Sequence, residues 1–233
     1  MKRLLKKLSI FFMALSTMHI TACQSQRSGP DLIPAMLEEK YGEPFTIEKI
    51  GDRFLSGSVT AYCHADSNSS FSFIARYFPQ DRSLYDEYAD RLINKQLEAT
   101  IAASFQAQGI EAAAFSRYYG ETETPNDSAM KLATFIHTCQ PSGFTAYIAI
   151  PETVSNLKES TAIMSALENV SNKLRIPLRC QIEIIPLAAF EACKQWLAST
   201  PVYYQTQIEE TYGAFESFLV LVTDSKAERV STF

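Results

Sequence analysis

From Val59 to Tyr77 the chain alternates between apolar and polar residues twice over. Val59, Ala61, Cys63 and Ala65 fall on one side of an extended strand, with Thr60, Tyr62 and His64 on the other. The turn-forming residues of "DSNSS" follow, and then Phe71, Phe73, Ala75 and Tyr77 repeat the pattern. Strands of period two have one face for a core and one for water. Whatever else this chain forms, it contains a sheet with one apolar side.

Helical signals flank these strands. "DLIPAMLEEKYGEPF" predicts a short helix and then a strand. Asp31 is placed to cap, Pro34 fits the first turn, and Gly42 can take the left-handed position past the end. Phe45 and Ile47 then alternate with polar residues. A long helix is predicted over residues 84–108, with Ser83 and Asp86 spaced like a capping box. Its stripe steps through Leu84, Tyr88 and Leu92, then Ile93, Leu97, Ile101 and Phe105. Gly109 closes it, and a strand follows over residues 110–118.

Residues 120–128, "GETETPNDS", are the most polar internal stretch and the predicted boundary between lobes 31–119 and 129–233. Beyond it, residues 132–139 and 144–150 read as strands joined by "QPSG". Residues 156–175 read as a helix with Asn156 and Glu159 at its cap, which Pro177 prevents from continuing. Leu178, Cys180, Ile182 and Ile184 alternate with Arg179, Gln181 and Glu183. Pro186 opens a helix carrying Leu187, Phe190, Cys193 and Leu197 on one side. Residues 202–208 and 215–223 read as strands, the unbroken "FLVLV" as a central one, and the last residues as frayed. Strands in runs with helices between the runs predict an α+β fold with largely antiparallel sheets.

The N-terminus is of another kind. Lys2, Arg3, Lys6 and Lys7 precede a mostly apolar run from Leu8 to Ala22. That run is shorter than the roughly 20 residues of a spanning helix, and Ser9, Ser16, Thr17 and His19 dilute it. A basic start, a short apolar run and small residues at its close make an export signal over residues 1–22. Ile20-Thr21-Ala22-Cys23 resembles the lipobox of bacterial lipoproteins. The resemblance implies lipid attachment to the Cys23 thiol, cleavage before it, and anchoring outside the cytoplasm. Two or three acyl chains on one residue hold firmly, at about 0.8 kcal/mol per buried methylene. Residues 23–30 then serve as a tether. Gln24 fits export to the outer membrane in a bacterium with two membranes; with one membrane, the protein would sit on its outer face. The segment "EEKYGEPF" is similar to the start of uncharacterised lipoproteins from Gram-positive anaerobes.

Removing 22 of 233 residues leaves 211 and takes away four positive charges, so a net charge of −5 becomes −9. An acidic body is a poor nucleic-acid binder. Membrane contact would come from the lipid on Cys23, and a partner from the envelope or cell wall. Four cysteines remain: Cys63, Cys139, Cys180 and Cys193. An even count in an exported chain suggests disulfides, with Cys180–Cys193 and Cys63–Cys139 the favoured pairs and buried thiols the alternative.

No phosphate-binding glycine loop, GxSxG or HExxH occurs. Cys63, His64, His137 and Cys139 are weak candidates for a metal, since Cys63 and His64 point to opposite sides of a strand. A Cys–His nucleophile is disfavoured because Cys63 lies on the apolar face, where a thiol stays protonated. The pairs Glu121/Glu123 and Glu209/Glu210 read as solvated surface. Tyr118-Tyr119 and Tyr203-Tyr204 each turn one ring outward, for a sugar or a partner protein. No catalytic set or cofactor site stands out. The expected function is therefore a lipid-anchored binding or scaffolding module, with a small cell-envelope hydrolase, its site between the lobes, as the alternative.

Overall fold

A computed structural model describes residues 29–51, 57–122, 125–152, 161–203, 207–214 and 216–230. The export signal, Cys23 and tether residues 23–28 lie outside the described residues. Helix α1 spans Gly29–Tyr41, so it begins earlier than expected and takes up the end of the tether; Asp31 sits in its first turn and Pro34 inside it. Gly42 ends it with φ +74°, its N–H donating to the Glu38 carbonyl at 2.8 Å.

Strands β1 (Phe45–Ile50), β2 (Val59–Ala65), β3 (Asn68–Phe78) and β4 (Ser83–Asp86) form an antiparallel meander in chain order. The predicted face is the buried one. Ala61, Cys63, Ala65, Phe71, Phe73, Ala75 and Tyr77 pack under Ile33 and Leu37 of α1. Phe45 and Tyr88 meet edge to face there at 5.0 Å.

Strand β4 corrects the expected start of the long helix. Ser83 is drawn to Asp81, whose Oδ1 accepts from the Ser83 N–H and Oγ. Residues 83–86 then pair with β3. Asp86 still serves the helix, accepting from the Tyr88 N–H at 3.1 Å. Helix α2 is therefore Tyr88–Ala107; Ile93, Leu97, Ile101 and Phe105 are buried along it, and Gly109 follows at φ +74°.

Strands β5 (Ala113–Tyr119), β6 (Gly143–Pro151), β7 (Leu178–Ile185), β8 (Glu216–Thr223) and β9 (Lys226–Val230) form the second sheet in that order. Only the β6–β7 pair is parallel, with helix α4 (Thr161–Leu174) in the crossover. This sheet takes strands from both sides of residues 120–128. One face packs on α2 and α4 through Phe144, Ala146, Ile148, Cys180, Ile182 and Val220. The other packs on helix α5 (Leu187–Ser199) and helix α6 (Gln207–Tyr212) through Phe115, Ala149, Ile185, Phe190 and Leu197. The fold is α+β with mostly antiparallel sheets. None of the described helices is long and apolar enough to cross a membrane.

Several expectations change here. Residues 132–139 are helix α3 (Leu132–Cys139), not a strand, because Leu132 and Phe135 bury at helical spacing and Gln140 takes a left-handed cap at φ 48°. Ile208 lies in α6, not a strand. Residues 226–230 are paired: Asp224 and Ser225, both at positive φ, turn β8 into β9, while residues 231–233, at the end expected to fray, lie outside the described residues. Leu187 is 59% exposed, not buried. The expected caps Asn156 and Glu159 lie outside the described residues.

Candidate functional site

Helix α2 leaves the first sheet and ends its course against the second. At that joint, Tyr85 of β4, Glu87, Asp90, Arg91 and Asn94 at the start of α2, Arg117 and Tyr118 of β5, and Thr122 line a cleft of about 260 Å3. The helix brings these groups together because Glu87, Arg91, Asn94 and Glu98 step by four, three and four along one stripe.

Arg91 is 2% exposed. Its Nη1 donates to Glu98 Oε1 at 3.0 Å and to the Ser116 carbonyl at 3.4 Å. Its guanidinium carbon stands 4.5 Å from the centre of the Phe115 ring. Its Nε and Nη2 have no hydrogen-bond partner among the described residues. Glu98 does not balance Arg91 alone, since its other oxygen lies 3.0 Å from Lys95 Nζ. One buried carboxylate thus serves two cations.

Asn94 is held in the same way. Its Nδ2 donates to the Asp90 carbonyl at 2.8 Å, and its Oδ1 is buried without a donor, as is Thr122 Oγ1. Tyr118 OH donates to Asp90 Oδ1 at 2.6 Å. Burial pushes the Asp90 carboxyl up to about 6, against the Tyr118 hydrogen bond, which favours the charged form. Burial also raises Glu87, opposed by the nearby Arg117. Buried polar atoms in folded proteins nearly always find partners, and Arg91, Asn94 and Thr122 place several without one among the described residues of a single cleft. Two other hollows, beside Tyr147 and Arg179 and beside His137 and Arg175, have no such orphan in their lining.

The residues singled out in the sequence lie elsewhere, Tyr118 apart. Cys63 is buried in the first core, its thiol pushed up to about 12 chiefly by burial. His64, on the opposite side of β2, has Nδ1 2.9 Å from Glu48 Oε1. His137 is exposed on α3, and Cys139 ends that helix beside the second core. The four do not converge, and no described cluster of His, Cys, Asp and Glu is arranged to hold a metal. No disulfide joins the described cysteines. Cys180 faces α2 and α4 while Cys193 packs on the opposite face of the same sheet, so the favoured pair is separated by the sheet itself. Tyr203 is buried and stacks on Tyr147 at 3.8 Å; Tyr119 is exposed. Glu121, Glu209 and Glu210 are exposed, while Glu123 and Tyr204 lie outside the described residues.

Fold and cleft together define a two-sheet α+β protein with a small polar pocket at the joint between the sheets. Among solved structures, a DUF5037 family protein from Ruminococcus gnavus, a Gram-positive anaerobe, is similar, with a TM-score of 0.63. Identity is 18%, over 84% of this chain and 92% of that one, and at that level the likeness is one of fold. The function of that neighbour is unknown. No family model and no curated protein matches the chain.

Proposed function

We propose that this chain is a lipid-anchored, extracytoplasmic binding module that takes a small carboxylate-bearing molecule in the cleft at Arg91. The observation that carries the site is the unpartnered Nε–Nη2 edge of a buried arginine. A guanidinium edge matches a carboxylate in two parallel hydrogen bonds. The anchor rests on Ile20-Thr21-Ala22-Cys23 and the basic, short apolar run before it. The acidic body would be held at the membrane by lipid and not by charge.

Two experiments test this. The purified protein, melted in the presence of millimolar small carboxylates, should show a saturable rise in Tm that Arg91→Met loses. Absence of any rise removes the site. Cys23→Ser should abolish acyl labelling and release the protein from membranes; normal partitioning of that variant removes the anchor. A cell-envelope hydrolase is the second reading. Asp90 favours it, because a cleft carboxyl held near 6 and bonded by Tyr118 suits general base work. Turnover of a bound carboxylate, against unchanged recovery, separates the two.

A further inference from the structure

Resting on that reading of the site, we propose that the ligand is a zwitterion, a single free α-amino acid. Its carboxylate meets the Nε–Nη2 edge of Arg91, and its ammonium meets Asp90 and Asn94 Oδ1. The cleft carries both signs of charge: Arg91 and Arg117 stand with Glu87 and Asp90. Phosphate would set its oxygens against two carboxyls. A plain carboxylate would satisfy Arg91 and leave Asn94 Oδ1 buried without a donor. A plain amine would leave the arginine edge bare.

Spacing favours both groups on one small molecule. Residues three and four apart on a helix stand roughly 5–6 Å apart at Cβ. Arg91 with Asn94, and Asp90 with Asn94, are such pairs. The carboxylate and ammonium of an α-amino acid share one carbon, so one small molecule carries both charges into a single turn of the helix. An ammonium has three donors, enough for Asp90, Asn94 and one more acceptor. It would also offset the burial that keeps the Asp90 carboxyl high. A cleft of about 260 Å3 has room for a single amino acid. Tyr85, 40% exposed on the lining, offers a ring for the side chain.

The test titrates the purified protein with each of the twenty standard amino acids, then with the N-acetyl and C-amide forms of the best binder, with acetate and with inorganic phosphate. A free amino acid should bind, and blocking either end should weaken it at least about tenfold. Asp90→Asn should weaken the free form about tenfold and the N-acetyl form by less. Should Arg91→Met fold poorly, Thr122→Val provides a nearly isosteric change in the lining and should weaken binding several-fold. N-acetyl forms or acetate binding as tightly as the free form would leave the carboxylate site standing and overturn the zwitterion. Phosphate binding in preference to amino acids would overturn it too. Binding of no carboxylate of any kind would overturn both this inference and the reading beneath it.

Discussion

Two buried charges stand five residues apart in this chain, and they are treated differently. Asp86, at the end of β4, is 1% exposed and Arg91, in the first turn of α2, is 2% exposed. Asp86 uses both oxygens: Oδ2 accepts from Lys40 Nζ at 2.7 Å, and Oδ1 accepts from Tyr41 OH at 2.7 Å and the Tyr88 N–H at 3.1 Å. Lys40 and Tyr41 reach it from α1 and Tyr88 from α2, beside an aromatic core of Phe45, Phe73 and Tyr88. Arg91 is served at Nη1 alone. Burial by itself therefore does not separate a structural charge from one kept for a ligand; the state of its hydrogen bonds does.

The largest effect expected from this contrast is at the satisfied charge. Asp86→Ala leaves Lys40, Tyr41 and the start of α2 without an acceptor, and should cost about 4 kcal/mol. In urea unfolding the midpoint should fall while the slope stays the same. A loss below about 1 kcal/mol would break the contrast, since Asp86 would then be no brace.

Next in size is a pH effect at the cleft. Burial lifts the Asp90 carboxyl to about 6, in the face of Tyr118 OH on β5 and Lys40 on α1, with Asp86 adding to the rise. As pH climbs, the unfolded chain gives up this proton first. The folded form is favoured below about pH 4, and that advantage drains away as pH rises through about 6. The full change is at most about 3 kcal/mol. Asp90→Asn should remove this slope, so the wild type and the variant should diverge between pH 4 and 6. Parallel curves would mean that Asp90 is wetter than the cleft geometry requires.

The first sheet was the more legible region because its information is local. Val59 to Ala65 and Phe71 to Tyr77 declare their faces by alternation alone, and Gly42 and Gly109 mark helix ends through their left-handed backbone. Misreadings fell where a few residues decide between neighbours. Leu84 fits the apolar stripe of α2, yet the bonds of Ser83 to Asp81 turn the chain into β4. Asp224 and Ser225 make a tight turn with no glycine to announce it. At the cleft the stripe Glu87, Arg91, Asn94, Glu98 went unread, although its spacing of four, three and four stands in the sequence. Its meaning does not stand there, because Ser116 and Phe115, which bond and stack Arg91, arrive from β5. Cys180 and Cys193 are close in sequence, but only the sheet's two faces show why they do not pair.

The smallest expected effect sharpens the contrast most. Arg91→Met keeps the apolar stem and removes the guanidinium. Glu98 is not orphaned, because Lys95 Nζ stays 3.0 Å away and the Ser116 N–H donates to it at 2.9 Å. Without ligand, the cost should be about 1 kcal/mol or less, since a half-partnered buried charge is itself expensive to desolvate. With ligand at about a hundred times its Kd, the wild type gains about 2.7 kcal/mol that the variant lacks. Unfolding both proteins with and without a bound carboxylate reads the two quantities separately. A ligand-free loss as large as that of Asp86→Ala would make Arg91 a second brace. Its bare edge would then give no reason to expect a ligand.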